Sequence, residues 1–546
     1  MKNCLNVAII EEDANSRSTI RSHLLQIPNL KIASFSSMAL FKEECFKTDF
    51  QLIVSAYEFS GGKNGAQWSQ ELLLNDLLKP SVGICLISAD TSSLVISQII
   101  DANPDVVLIR PYMMKSFLGN INDYLTFRSI LAPYLPALDE EDIPKVLLGL
   151  RQLQLSNPEH KTNLARLEAK LLLKTQSYSQ AATIYQTILE KNPQTLWARW
   201  GLIKSQFMAG DWECCKDILH TLLKANVTRD KAYEWLACVA YAEHEYDSAQ
   251  NHLSHIKIAD LSFQATKLKS HLLCLQNKIE DAIHLLDQKR KSNNMLTDEF
   301  NELTYEMAHC YLMQIEKHTV VNKDFNIEQA KSLINCAGKY QKDTVSKQKR
   351  DSLLTAVYLL EGNIMQVEKL LGQEWMQNFE RANIPTLQAA MNANKAVGQE
   401  QKAIELLRIS EQKLGSIDSP IENVISIDIV QQQETKLVDK QARAAQANKR
   451  GTELYISNKF EQAMFYFHKA LLLYPTTSAF AINLATCLHQ CGQDNYKELK
   501  YDALLEKLQA MQLHPEHQKR LDGLLQKPNP TNKAETLLDS TTKKAS

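Results

Sequence analysis

Residues 50–65 read FQLIVSAYEFSGGKNG. A continuous apolar run that breaks into a glycine-rich loop has the pattern of a buried parallel strand ending at a functional edge. In open α/β sheets, ligands and chemistry collect just beyond the carboxyl ends of the strands. Ala56 stands where a reactive side chain belongs, and it carries only a methyl group.

The pattern repeats on either side of this stretch. Strand-like runs at Leu5–Ile10, Leu30–Phe35, 52–54, 84–87 and Val106–Ile109 alternate with helix-period segments at 16–26, 38–46, 66–78, 94–100 and 115–125. Such alternation predicts a doubly wound, five-stranded parallel sheet, a flavodoxin-like α/β domain over residues 1–125. Glu11 and Glu12 follow the first strand, Ala56 ends the third, Ser88 the fourth and Arg110 the fifth. All these ends lie on one edge of a parallel sheet, so the groups converge.

That constellation resembles the two-component receiver domain. The family carries an acidic pair after strand one, a phospho-accepting aspartate after strand three, a serine or threonine after strand four, and Lys-Pro-aromatic after strand five. By this resemblance Glu11 and Glu12 fall on the acidic pair, Ser88 on the hydroxyl and Arg110-Pro111-Tyr112 on the last motif. Asn64-Gly65 matches the loop beyond the acceptor, and Ala56 falls on the acceptor itself. An in-line phosphoryl transfer needs a carboxylate oxygen to attack and a metal to neutralise charge, and a methyl group supplies neither function. Glu for Asp at Glu11 and Glu12 lengthens both arms of a site for an octahedral cation, leaving weak Mg²⁺ binding there as the one metal expectation. Arg for Lys at Arg110 replaces a point charge by a planar fork. The pocket therefore predicts a pseudo-receiver that cannot be phosphorylated. The weighed alternatives are an unrelated flavodoxin-like module and a site with an unusual acceptor; Glu58, two residues on, makes a poor one.

After the acidic stretch 139–142 the strand signals fade and the chain becomes helical with internal repetition. Small residues recur at Ala181, Cys215 and Ala249, a step of 34 taken twice. The same pattern returns most clearly at Gly451, Tyr455, Phe460, Ala463, Phe467, Ala470 and Pro475, then at Leu484, Ala485, Gly492, Ala503, Ala510 and Pro515. Weaker units centre on Ala282, Ala330, Val367 and Ala403. Period and pattern resemble tetratricopeptide repeats. The resulting division is a helical linker at 126–160, repeats at 161–415, a linker at 416–440, C-terminal repeats at 441–525 and a disordered tail at 526–546. One helix pair cannot bury its apolar face alone, so repeats stack into a superhelix whose concave groove takes a peptide or helix client.

The chain of 546 residues is 44% apolar and 23% charged with net charge −2, a balance that gives no drive toward nucleic acid or anionic membrane. No run reaches the roughly 20 apolar residues that span a bilayer. Eleven dispersed cysteines point to small buried hydrophobes in a reducing compartment, hence a cytoplasmic protein. Cys487 and Cys491, four apart, lack the second ligand pair of a zinc site. No P-loop, dinucleotide fingerprint, nucleophile elbow or zinc-protease motif is present, so no enzyme activity and no cofactor are expected.

Receiver and repeats together resemble VieB-like auxiliary response regulators. That resemblance implies an adaptor that binds a sensor histidine kinase, a phosphotransfer domain or a partner response regulator, and inhibits phosphotransfer to a cognate receiver. The alternative is a repeat scaffold for pilus, secretion or envelope assembly, with a relic receiver used for dimerisation.

Overall fold

The computed structural model describes residues 4–60, 62–74, 77–292, 297–317, 323–339, 343–417, 419–437, 440–475, 477–511, 513 and 515–526. At the N-terminus five parallel strands, β1 (Leu5–Ile10), β2 (Leu30–Phe35), β3 (Leu52–Ala56), β4 (Gly83–Ser88) and β5 (Val106–Ile109), form a sheet in the order β2-β1-β3-β4-β5. This is the flavodoxin-like strand order. Helices α1 (Ala14–Leu24), α2 (Met38–Cys45), α3 (Gly65–Leu74), α4 (Ser93–Ala102) and α5 (Met114–Leu131) alternate with the strands.

Both faces of the sheet are buried, which is why its strands are apolar without alternation. Val7, Ile9, Leu52, Val54 and Ile87 pack with Leu24, Phe117 and Ile121 from α1 and α5. Ala8, Ile10 and Ile53 turn the other way, onto Met38, Phe41 and Leu72. Burying one such large side chain stabilises by about 1.5–3 kcal/mol, so this double-sided core dominates the domain's stability. Local chemistry sets the helix starts. Asp13 caps α1 by accepting the Ser16 amide at 2.6 Å, and those amide hydrogen bonds hold its carboxyl below the usual range. Ser92 caps α4, and Asn103, left-handed at φ 45°, ends it.

From Leu135 onward the described residues are helical apart from one short hairpin, and the helices form a solenoid of pairs joined by short turns. The small residues marked by the sequence period, Ala181, Cys215, Ala249, Ala282, Ala330, Val367, Ala403 and Ala463, are all completely buried. Gly451 gives the close approach its neighbour requires: a Cβ there would lie 2.7 Å from the Phe467 ring. Ala503 and Ala510 depart from the pattern and are exposed. The hairpin Asn495–Tyr496 and Leu499–Lys500 interrupts the spacing, and Leu504, Leu505 and Leu508 take the buried positions instead.

Three boundaries differ from the sequence reading. The edge at residue 125 falls inside the continuous helix α5, which carries Tyr124 into the core of the sheet and Leu131 into the next cluster. β3 runs on to Ala56, because Ala56 still pairs with Ile87 of β4. The stretch 416–440, taken as a linker, holds the helix Pro420–Leu437. Its residues Ile421, Val424, Ile425, Ile429 and Val430 are buried, and it touches helices Leu196–Ala209, Asn226–Ala242, Phe263–Leu275, Ile384–Ala396 and Glu400–Leu414. Polar runs such as Gln431-Gln432-Gln433 hide this helix from a composition argument, whereas tertiary packing accepts it inside the superhelix. Of the expected tail, 526–546, all but Gln526 lies outside the described residues.

The solenoid closes on itself and on the sheet. Glu461 accepts the Tyr178 and Ser179 amides at 2.6 and 3.0 Å, satisfying the N-terminus of the helix Tyr178–Lys191 from 283 residues away. The Lys497 amide donates to the Gly210 carbonyl at 2.7 Å. On the sheet side, Lys231 of the helix Asn226–Ala242 reaches Asp101 and, at 3.2 Å, the Ser97 hydroxyl of α4, while Ser93 donates to Asp230 at 2.7 Å. No described helix is long and apolar enough to cross a membrane.

Candidate functional site

The carboxyl ends of β1, β3, β4 and β5 bring Glu11, Ala56, Ser88 and Arg110 to one edge, as parallel pairing requires. Ala56 is 2% exposed and offers the edge no polar side-chain atom. Its carbonyl faces Gly65, where an added Cβ would sit at 2.2 Å, so this loop position needs glycine. The Gly65 amide bonds the Tyr57 carbonyl at 2.8 Å, closing the loop over the strand end.

The charged residues neutralise one another rather than facing an open site. Arg110 donates to Glu11 Oε2 at 2.6 Å, with the glutamate side chain 5% exposed. The other Glu11 oxygen accepts the Asp13 amide at 3.1 Å. Glu12 turns away and accepts the Ser60 amide at 2.8 Å. Arg17 braces the turn from behind, donating to the Glu11 and Glu12 carbonyls at 2.6 and 3.0 Å.

Ser88 is fully buried and meets neither Arg110 nor Glu11 through its side chain. It donates to Glu58 Oε1 at 2.6 Å, and the same oxygen accepts the Ala89 amide at 2.8 Å and the Asp90 amide at 3.2 Å. Sequence reasoning considered Glu58 only as a nucleophile and passed it over. Its position two residues beyond a buried strand end, where the chain turns back across the edge, was the available signal. Next to it, Tyr57 bonds Gln98 and accepts from Asn64 at 3.1 Å, and burial pushes its phenol up.

A hydroxyl and two amides converging on one point make an anion site, and Glu58 fills it from within the chain. The edge thus carries three carboxylates, Glu11, Glu12 and Glu58, and the one guanidinium among its predicted site residues is already paired with Glu11. Among the described residues, the acceptor position therefore offers no nucleophile, Arg110 is committed to Glu11, and the edge turns carboxylates toward an incoming phosphoryl group. Both Glu11 oxygens and one Glu12 oxygen, the candidates for weak Mg²⁺ binding, are engaged here by Arg110 and by backbone amides. Among the described residues no group of three His, Cys, Asp or Glu is placed to hold a metal ion.

No protein-family model matches the chain. No curated protein matches it either. Solved structures that it resembles include the isolated REC domain of RcsB from Salmonella enterica serovar Typhimurium with the phosphomimetic BeF3⁻, at 16% identity over 20% of this chain and 81% of that one, TM-score 0.19. Two RcsB dimers bound to two parallel DNAs match at 15% identity over 23% of this chain and 61% of that one, TM-score 0.21. The RcsB–DNA complex of a two-component response regulator matches at 13% identity over 31% and 91%, TM-score 0.21. The strand order and the converging edge residues define the class: a receiver-like α/β domain followed by a helical solenoid.

Proposed function

We propose that this chain is a non-phosphorylatable adaptor: it docks a histidine kinase, a phosphotransfer domain or a partner receiver, and lowers phosphotransfer to that receiver. The observation that carries the reading is the Glu58 carboxylate on Ser88, Ala89 and Asp90, beside a strand end that terminates in Ala56. A receiver-shaped edge whose anion site is permanently filled keeps its outer surface while giving up transfer.

The packing favours a particular docking face. α4 is covered by the helix Asn226–Ala242, whereas Leu25 beyond α1 and Met113 before α5 are 63% and 76% exposed. Solvent-facing apolar side chains at neighbouring helix ends suit a helical partner. The repeats, read as tetratricopeptide-like, would hold the client, as the resemblance to VieB-like auxiliary response regulators implies.

The test is a phosphotransfer competition. Tagged full-length protein is used to retrieve partners from native cytoplasm, and the retrieved kinase then phosphorylates its own receiver with and without the adaptor. Slower receiver labelling, relieved in Leu25→Glu/Met113→Glu, supports the reading. Retrieval of only an envelope or secretion component, with no effect on any kinase, replaces it by the scaffold reading.

A further inference from the structure

The C-terminal repeats fold around a core of their own. Its buried side chains, among them Ala463, Phe467, Ala485 and Leu508, all lie between Leu454 and Leu524. The core of the preceding array runs from Trp200 to Val430 and shares none of them. Helices Lys440–Ile456, Phe460–Leu473 and Ser478–Cys491 pack on one another in chain order. These repeats nevertheless return to the start of the array and close it, across a seam held by a few polar bonds. Glu461 accepts the Tyr178 and Ser179 amides at 2.6 and 3.0 Å. Gln493 donates to the Ser179 hydroxyl at 3.0 Å, and the Lys497 amide to the Gly210 carbonyl at 2.7 Å. Apolar closure comes from Phe465, which reaches the array core, and from the Tyr496 ring beside Gly210.

Several of those polar groups are poorly served in the closed form. Gln493 Oε1 is buried there without a hydrogen-bond partner. Lys497 holds a left-handed backbone at φ 56°, and its ammonium rests 5.4–5.8 Å from the ring centres of Trp212, Phe465 and Tyr496. Burial lowers the pKa of that ammonium to about 8, against the pull of Glu498, and raises that of the Glu461 carboxyl. Parting the seam returns these groups to water, which offsets much of what the closing bonds contribute. A polar contact between units with separate cores is where a partial opening of the native state is expected.

The seam is also a wall. Tyr178, Gly210, Glu461, Tyr496 and Lys497 all line a cavity of about 790 Å³ that lies between the two units. We propose that the C-terminal repeats are a clasp: they part from Tyr178 and Gly210 as one body, opening this cavity, and close again on the Glu461, Gln493 and Lys497 bonds. Because the two units share no core, the motion disturbs neither one beyond withdrawing Phe465. The opening is independent of whether the chain docks a kinase.

The experiment is native-state hydrogen exchange on the full-length protein, read by mass spectrometry over a denaturant series. The Tyr178, Ser179 and Lys497 amides are expected to exchange together, at least about tenfold faster than amides of the two cores at 236–239 and 482–488. Their common rate should rise with denaturant, but less steeply than that of the cores, the mark of a partial opening. Glu461→Ala should speed all three by about tenfold, Lys497 included, although the bonds of Glu461 are to Tyr178 and Ser179. Glu461→Gln keeps one acceptor oxygen and should give a smaller increase. Unchanged exchange in both cores verifies the fold of each variant, and the natural chain decides the matter if a variant fails that check. Seam amides that exchange only with the cores, a rate independent of denaturant, or acceleration confined to Tyr178 and Ser179 overturns the clasp.

Discussion

Glu58 Oε1 accepts the Ser88 hydroxyl at 2.6 Å, so a fully buried hydroxyl at the end of β4 is satisfied by a carboxylate from the loop after β3. The same oxygen holds the first two amides of the β4–α4 turn. That turn leads into α4, which carries Ser97 and Asp101 onto Lys231 of the solenoid. One side chain therefore joins the sheet edge to the element that docks the sheet on the repeats.

Removing that carboxylate should loosen the turn before anything else. Glu58→Ala deprives Ser88, Ala89 and Asp90 of a shared acceptor; because Glu58 is largely exposed, water replaces part of it and the loss is about 1 kcal/mol. Hydrogen exchange should accelerate at the Ala89 and Asp90 amides, with the β1 and β3 amides unchanged. Glu58→Gln retains an acceptor oxygen and should show a smaller effect. Uniform acceleration over the whole domain would refute the local role.

Phosphodonors should leave the protein unlabelled. Acetyl phosphate or phosphoramidate is expected to give no acid-labile phosphoryl group by intact-mass measurement. Ala56→Asp alone should restore little labelling and should destabilise by about 1–3 kcal/mol, since it introduces a carboxylate at a 2% exposed position on an edge already rich in carboxylates. A phosphorylated residue within 1–125 in the natural chain would sink the pseudo-receiver.

The Glu11–Arg110 pair is the charged contact that the edge most depends on. Arg110→Met strands a glutamate that is 5% exposed, at a loss of about 2–3 kcal/mol, reduced from the fully buried case by the 28% exposure of Arg110. Adding Glu11→Gln should recover at least half of that loss, as a double-mutant cycle on melting would record. Equal, additive losses would mean the pair is not coupled.

Stability should depend on pH through Glu234. Burial pushes its carboxyl up to about 7, although the Ser262 amide at 2.8 Å and the nearby Lys231 charge pull the other way. A raised acid binds its proton more tightly in the folded state than in the unfolded one, so stability falls as pH rises from about 4.5 to about 7. Glu234→Gln keeps the acceptor for Ser262 and cannot ionise. It should be more stable than the natural chain by about 1–3 kcal/mol at pH 8 and show no advantage at pH 4.5, read by denaturant unfolding at each pH. A constant difference across that range would contradict the assignment.

What could be read from the sequence was what local pattern encodes. Apolar runs alternating with helix-period segments place the five strands, and Glu11, Ala56, Ser88 and Arg110 follow at their ends because parallel pairing puts all carboxyl ends on one side. The step of 34 marks buried positions because a helix pair repeats its own packing. Tertiary structure alone decided which partners those residues take. Arg110 chooses Glu11, Ser88 chooses Glu58, and the helix Pro420–Leu437 enters the superhelix instead of linking two arrays. Each choice depends on distances between segments far apart in the chain. Periodicity reports which face of an element is buried; it carries no information about which distant surface, or which single carboxylate, will meet that face.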